Sequence, residues 1–189
     1  MKQVILMSIR PEWVAKILNG EKTIEIRKTA LHEGDEVHIY CTKKTPPYLV
    51  DYGSIGMPDY CLNGTPNGDN SELNGKVVAK FIVGKVRQIT HDITSGIYFK
   101  ALCQDLNEEE LLKQSCLRWD ELEKYLLSSK NDIIYAHEIT HLEIFDKPRE
   151  FGEYKKKEEV CVNDDQSYRM VYVPITHAPQ SYMKAWVEE

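Results

Sequence analysis

The order of apolar and polar residues along the chain predicts short strands mixed with three helices. Residues 3–8 and 23–28 have the pattern of strands, and they flank a segment at 11–19 whose apolar residues recur at helical spacing. Pro11 suits the first turn of this helix, and Gly20 suits the left-handed position that follows its end. The same reasoning predicts strands at 36–42, 76–89, 133–145 and 168–175, and helices at 107–114 and 119–128.

Between these elements the chain has a long irregular stretch and a charged one. Residues from about 43 to 75 are rich in Pro, Gly and Asn, which predicts a long loop whose tyrosines either stack on a base or hold the loop to the surface. Asp146-Lys147-Pro148 is expected to end the strand before it, and residues 155–165 are expected to form an exposed excursion. No internal repeat or linker is visible, so residues 1–189 are predicted to form a single domain with 168–175 as the last strand.

Composition narrows the class of protein. Apolar residues make up 42% and charged residues 29% of the chain, which is ordinary for a soluble globular protein, and no apolar run is long enough for a membrane span. The five cysteines are scattered and never have the spacing C-x-x-C, so we predict a reduced, cytoplasmic protein with neither a disulfide framework nor a zinc site made of thiolates. We also expect no other metal site and no cofactor.

Charge leaves two possibilities open. The net charge of −6 argues against a nonspecific DNA-binding protein, whose affinity would come from neutralising phosphates. Residues 1–50 and 76–100 are nonetheless positive, while the rest of the chain is acidic. Either a positive cleft receives a small anionic ligand or short RNA, or the charges are a solvated mixture with no focused patch.

The strongest candidate for chemistry is the group of charges directly behind the first helix. Glu25 and Arg27 alternate on one face of a predicted strand and Lys22 leaves the preceding turn, so the three charges lie close together. They form a structural ion-pair cluster, a ligand clamp, or a catalytic site in which a partly desolvated Lys22 acts as base or nucleophile. For the second and third roles we expect Lys22 and Arg27 to be open to solvent.

Other side chains extend this candidate site or suggest a different one. Arg10 could widen a positive rim, Tyr40 and Tyr135 could line the cleft, and His137 could pair with Glu138 as acid and base. Residues 137–141 also spell H-E-x-x-H, the helical zinc motif of proteases. Their surroundings predict a strand, which would hold the two histidines about 13 Å apart, too far to share a metal ion.

The motifs resemble a known family. The run from Ile5 to Trp13 followed by G-x-K-x-x-E-x-R is similar to the ASCH domain of the PUA-like superfamily, and the Pro-Gln-Ser-Tyr tail at 179–182 resembles bacterial and phage members. The resemblance implies an α+β fold, a small PUA-like β-barrel flanked by helices, with a cleft lined by this motif and a role in handling RNA or nucleotides. A related acetylcytidine amidohydrolase uses a lysine, a threonine and a glutamate. Its lysine matches Lys22, whereas the other two roles fall on Glu25 and Ser115.

These observations lead to one expectation and two alternatives. We expect an RNA- or nucleotide-binding protein that uses a positively lined cleft, with no membrane or metal partner. The first alternative is a hydrolase acting on a modified nucleoside or on RNA, in which Lys22 and Glu25 are catalytic. The second is a protein-interaction module that contacts its partner through the 43–75 loop. The ligand-binding candidates are Arg10, Lys22, Glu25, Arg27, Tyr40, Tyr135 and His137.

Overall fold

The computed structural model describes residues 1–43, 48–51, 60–63, 73–90, 100–101, 105–161 and 168–188. Its helices are α1 (Pro11–Leu18), α2 (Glu108–Ser115) and α3 (Trp119–Leu127). Its strands are β1 (Lys2–Ile9), β2 (Ile24–Arg27), β3 (Glu36–Cys41), β4 (Tyr48–Asp51), β5 (Tyr60–Asn63), β6 (Lys76–Thr90), β7 (Lys100–Ala101), β8 (Ile133–Glu150), β9 (Lys155–Cys161), β10 (Tyr168–Pro174) and β11 (Tyr182–Val187). The α+β class predicted from the sequence is confirmed. No helix in the described ranges is long and apolar enough to cross a membrane.

The chain divides into two compact units. The first unit comprises Met1–Ala15, Glu36–Lys80 and Glu143–Glu189, and the second comprises Lys16–Asp35 and Phe81–Leu142. Strands β6 and β8 are each divided between the two units. In the first unit the strand order is β10-β9-β11-β1-β3-β6-β8, with β1 parallel to β3 and antiparallel to β11. In the second unit β2 pairs with β8, β8 with β6, and β7 with β6. The described strands of neither unit close into a barrel, so the barrel implied by the resemblance is not confirmed.

Each unit has its own apolar core. In the second unit, Ile24 and Ile26 of β2 pack with Leu111 of α2 and Leu122 of α3. Helical spacing puts the apolar residues of α2 and α3 on one side of each helix, which explains why these helices cover that side of the strand. In the first unit, Val4 and Leu6 of β1, both nearly inaccessible, pack around Tyr154.

Three expectations from the sequence need correction. Strand β8 continues through Pro148 to Glu150, because proline removes one backbone donor but its fixed φ is compatible with an extended chain. The predicted excursion at 155–165 contains β9, which is paired along its whole length with β10. Strand β10 is not the last strand, since β11 follows it and pairs with β1.

The described part of the 43–75 stretch is more regular than predicted. Strands β4 and β5 form a two-stranded antiparallel sheet, and Leu49 donates its backbone N–H to the side-chain oxygen of Asn74 at 2.9 Å. Residues 44–47, 52–59 and 64–72, including Tyr52, lie outside the described residues, and so does Cys103.

Candidate functional site

The turn behind α1 places Lys22. Gly20 has φ of +74°, as the sequence predicted, and its N–H donates to the carbonyl of Ile17 at 3.0 Å. The N–H groups of Glu21 and Lys22 both donate to the carbonyl of Lys16, at 2.9 and 3.0 Å. These bonds satisfy the last carbonyls of the helix and direct the chain into β2.

The segment after this turn is held against the end of α2 by three successive contacts. The N–H of Thr23 donates to the carbonyl of Gln114 at 2.9 Å, and Lys22 Nζ donates to the carbonyl of Ser115 at 2.7 Å. Cys116, at a left-handed φ of 54°, places its Sγ 3.4 Å from the carbonyl of Glu21. An ammonium at a helix C-terminus interacts favourably with the unpaired carbonyls there. Residues 21–23 and 114–116 therefore form a clamp, the term used below for these three contacts.

Lys22 is buried in this arrangement. Its side chain is 3% exposed, and Nζ lies 3.4 Å from Oε2 of Glu25. Burial lowers the pKa of Lys22 because the charged form loses its hydration, while the attraction of Glu25 acts in the opposite direction. The expectation that Lys22 is open to solvent is therefore wrong.

Glu25 joins the two cations of the cluster. Its Oε1 lies 2.9 Å from Nε of Arg27, and this contact is an ion pair rather than an aligned hydrogen bond. Glu25 is also buried, whereas Arg27 is the most accessible of the three, with 11% of its side chain exposed. The carboxylate thus compensates one buried and one partly buried cation, and Arg27 is the member of the cluster nearest to solvent.

The neighbouring strand places two predicted residues beside the cluster. In the antiparallel pairing of β2 with β8, Glu25 lies opposite His137 and Arg27 opposite Tyr135. Since cross-strand partners point to the same face of a sheet, these four side chains share one face. Tyr135 is partly exposed, and its ring centroid lies 6.5 Å from that of His137.

His137 has a structural role at this face. It is completely buried; its Nε2 accepts from the N–H of Leu31 at 3.0 Å, and its Nδ1 lies 3.2 Å from the carbonyl of Glu25. This pattern requires the proton on Nδ1, and burial lowers the pKa of the ring further below its ordinary value. Both nitrogens are therefore engaged by the backbone, which leaves His137 no group to offer a ligand in this structure.

The structure adds one residue, Tyr125 of α3, that is not among the candidates from the sequence. Tyr125 packs against the second core, and burial raises the pKa of its hydroxyl. The charge of Arg27 lowers this pKa, and the charge of Glu25 raises it. Lys28 places Nζ 5.1 Å from the centroid of the Tyr125 ring and donates to the carbonyl of Ser128 at 2.7 Å. Tyr125 lies ten residues before Tyr135, and as part of a helical stripe it carried no signal in the sequence that it would reach the charged motif.

A second charged cluster lies on β6. Asp105 accepts from Lys85 Nζ at 2.6 Å and from Arg87 Nη2 at 3.1 Å, and these two bonds lower its pKa to about 2. Arg87 Nη1 is 3.9 Å from Oε2 of Glu138. His141 follows on the same strand as His137, and the described residues contain no group of three or more His, Cys, Asp or Glu side chains that could hold a metal ion.

The remaining predicted residues belong to the first unit. Arg10 is exposed over 66% of its side chain, with Nη1 4.0 Å from Glu12. Tyr40 is a core residue there, not a surface one, since it is 6% exposed and its ring packs against Phe151 at a centroid distance of 5.0 Å. Burial raises the pKa of Tyr40, which is consistent with this position.

Comparison with known proteins gives a limited result. No protein-family model and no curated protein matches the chain. Among solved structures, the ASCH protein of Zymomonas mobilis is similar at 13% identity and a TM-score of 0.48, over 98% of this chain and 87% of that chain. A tyrosine-to-phenylalanine mutant of the same protein matches with 13% identity and a TM-score of 0.49, over 100% and 92%. These matches carry the name of the family that the motifs resemble, and the similarity is too low to transfer a site or an activity.

Proposed function

We propose that this chain binds RNA or a nucleotide-like ligand at the surface formed by Arg27, Lys28, Tyr125 and Tyr135, which we call the arginine surface. Its support is the position of Arg27, which Glu25 fixes at 2.9 Å beside two partly exposed tyrosines and the exposed Lys28. A guanidinium binds a phosphate or a base carbonyl with two parallel N–H groups, and tyrosine rings stack on bases. Lys22 and Glu25 then position Arg27 and do not contact the ligand.

Replacing Arg27 tests this role. We expect Arg27→Ala to weaken binding of nucleoside monophosphates and short RNA roughly 10-fold or more, because a charge-assisted bidentate contact is lost. Arg118→Ala is the matched control, since Arg118 is an exposed arginine that is paired with Asp120 and is not one of the binding candidates. Affinities come from isothermal titration, with thermal unfolding of both variants as a check on folding. Equal affinities for Arg27→Ala and wild type would refute the proposal.

A hydrolase is the second candidate, and one observation favours it. The amidohydrolase resemblance places its lysine, threonine and glutamate on Lys22, Glu25 and Ser115. These three residues lie together, because Nζ of Lys22 is 2.7 Å from the Ser115 carbonyl and 3.4 Å from Glu25. Burial lowers the pKa of Lys22, which favours a role as base or nucleophile. Two of the three residue types differ from those of the amidohydrolase, which is why binding is the preferred proposal.

Turnover separates the two candidates. The protein is incubated with ribonucleosides that carry acylated bases and with short RNAs, and products are followed by chromatography. A hydrolase loses this turnover in Lys22→Met, which keeps the length of the side chain but has no amine. No turnover by the wild-type protein across the panel would exclude these reactions and leave the binding proposal.

We further propose that the resemblance to ASCH proteins extends to a PUA-like barrel and to a reducing, cytoplasmic setting. The support for the setting is that Cys41, Cys61, Cys116 and Cys161 form no disulfide bond with one another. An experimental structure of the full chain tests the barrel, because it would either close the strands of the sheet or leave them open.

A further inference from the structure

Strands β9, β10 and β11 of the first unit carry an unusual surface. Alternate residues of a strand share a face, so Tyr168, Met170 and Tyr172 lie on one side of β10. In the β9–β10 register Tyr172 is opposite Lys157, and in the β11–β9 register Trp186 is opposite Lys155. The aromatic–lysine face is defined by these residues together: Lys155, Lys157, Tyr168, Met170, Tyr172 and Trp186.

The apolar side chains of this face are open to solvent. Tyr168 is 62%, Met170 56% and Tyr172 42% exposed. Single exposed apolar residues are common on proteins, but a contiguous row of them on a sheet marks an interaction surface. The first core lies elsewhere in the unit, around Tyr154 and Leu6, so these rings are not needed to fill it.

Lys157 is held over two of the rings. Its Nζ lies 4.9 Å from the centroid of Trp186 and 5.5 Å from that of Tyr172, and the two rings are 5.7 Å apart at 65°. The ring faces attract the ammonium, so a positive charge is fixed directly beside two stacking surfaces. This is the combination that binds the phosphate and the base of one nucleotide.

The charge of the face agrees with a polyanionic ligand. Lys184 alternates with Trp186 on β11 and therefore joins Lys155 and Lys157 on the same face. The carboxylates on the same side of these strands are Glu159, which is opposite Met170, and Glu188, whose Oε1 lies 3.1 Å from Nζ of Lys155. The face is thus positive although the whole chain has a net charge of −6.

We propose that the aromatic–lysine face binds an unpaired nucleic-acid strand, RNA or DNA, with little dependence on sequence. Tyr168 and Tyr172 are four residues apart on β10, or about 13 Å, so separate bases of one strand stack on them. Every base has a π-face, which makes this contact tolerant of sequence. The proposal does not rest on the arginine surface, because it uses none of the residues of that surface.

Fluorescence anisotropy with labelled oligo(U) and oligo(dT) of about twelve nucleotides tests the face. We expect the double variant Tyr172→Ala/Trp186→Ala to bind both strands roughly 10-fold or more weakly, because two stacking surfaces are lost. Lys157→Gln should lower the dependence of affinity on salt by about 0.7 in log–log slope, the value of one phosphate contact on a single strand. A duplex of the same length should bind at least about 10-fold more weakly than the single strand, since its bases are stacked inside.

The controls are Leu127→Ala, which removes an exposed apolar side chain of α3, and Lys147→Gln, which removes an exposed lysine of β8. Both should bind like wild type, and thermal unfolding verifies that every variant is folded. Equal binding of RNA and DNA or a preference for RNA both support the face. Three results would overturn the proposal: wild-type affinity in the folded double variant, equal affinity for duplex and single strand, or no binding of either strand by the wild-type protein. The last of these would leave the face to a protein partner. Loss of binding in Arg27→Ala alone would overturn this proposal and support the arginine surface.

Discussion

Lys22 and Glu25 form a buried ion pair, with Nζ 3.4 Å from Oε2 and with 3% and 8% of the two side chains exposed. A buried pair gains little overall, because removing both charges from water costs about as much as their attraction returns. Removing one partner is different, since the remaining charge stays buried without compensation. This asymmetry makes the cluster sensitive to single substitutions.

Glu25→Gln is expected to destabilise the protein by about 3–5 kcal/mol, because it leaves Lys22 and Arg27 without their common carboxylate. Urea denaturation measures the change in the free energy of unfolding. Glu143→Gln is the matched control: it breaks an ion pair of 3.0 Å with Lys80, but Glu143 is 61% exposed, so the cost should stay below about 1 kcal/mol. Equal costs for the two variants would contradict a compensating role for Glu25.

Acid should destabilise the protein through His137. Its folded pKa lies below the ordinary value of 6.5 because the ring is buried, with Glu25 and Asp35 opposing and Arg27 reinforcing this effect. The unfolded state therefore binds the proton more readily, so stability is fully present above pH 6.5 and is lost as the pH falls toward the folded pKa. His38, whose pKa burial also lowers, adds a loss of the same sign.

Denaturation at a series of pH values isolates the share of His137. We expect His137→Gln to be less stable than wild type at neutral pH, because its backbone partners lose the ring, and to lose less stability between neutral and mildly acid pH. A slope against pH that is identical in the two proteins would show that His137 does not titrate with unfolding.

Gly84→Ala is expected to cost about 1–3 kcal/mol. An added Cβ at Gly84 would lie 2.8 Å from Cγ2 of Thr140 and 3.2 Å from Cβ of Glu138, so β8 would have to shift. Gly152→Ala is the control, because nothing lies within 4 Å of the added atom. Chemical denaturation of both variants gives the change in the free energy of unfolding. An unchanged free energy in Gly84→Ala would mean that β6 and β8 move apart without penalty.

The pKa of Asp105 should respond to its two cationic partners. It is held at about 2 by hydrogen bonds from Lys85 and Arg87, so Lys85→Met should raise it toward the ordinary value of 3.8. The carboxyl carbon chemical shift, followed by NMR against pH, reports the titration. Lys147→Met, which changes an exposed lysine of β8, should leave the pKa of Asp105 where it is.

Much of the fold could be predicted because local signals and tertiary structure agree. The Pro11 start and the Gly20 end of α1, and the alternation that defines β2, follow from steric preferences of individual residues. Strand β9 could not be predicted in this way: its sequence, KKKEEVC, has poor intrinsic preference for strands, and pairing with β10 stabilises it. Strand propensity depends more on neighbours than helix propensity does.

The proximity of the three charges was predictable from the sequence, but their burial was not. The spacing of Lys22, Glu25 and Arg27 is enough to place their charges together. Nothing within the motif indicates that the carbonyl of Ser115, 93 positions later in the chain, accepts from Lys22. Burial of a side chain depends on distant segments, and a single sequence does not identify which segment will cover it.

The clamp between residues 21–23 and 114–116 has a consequence for the folding pathway. Its contacts close a loop of more than ninety residues, and the entropy of closing such a loop is lost before the contact stabilises the chain. We expect Lys22 to remain hydrated in the transition state and to lose its water only in the last step. Substitutions at this position should then accelerate unfolding while leaving the rate of folding almost unchanged, a pattern that stopped-flow kinetics of Lys22→Met can reveal.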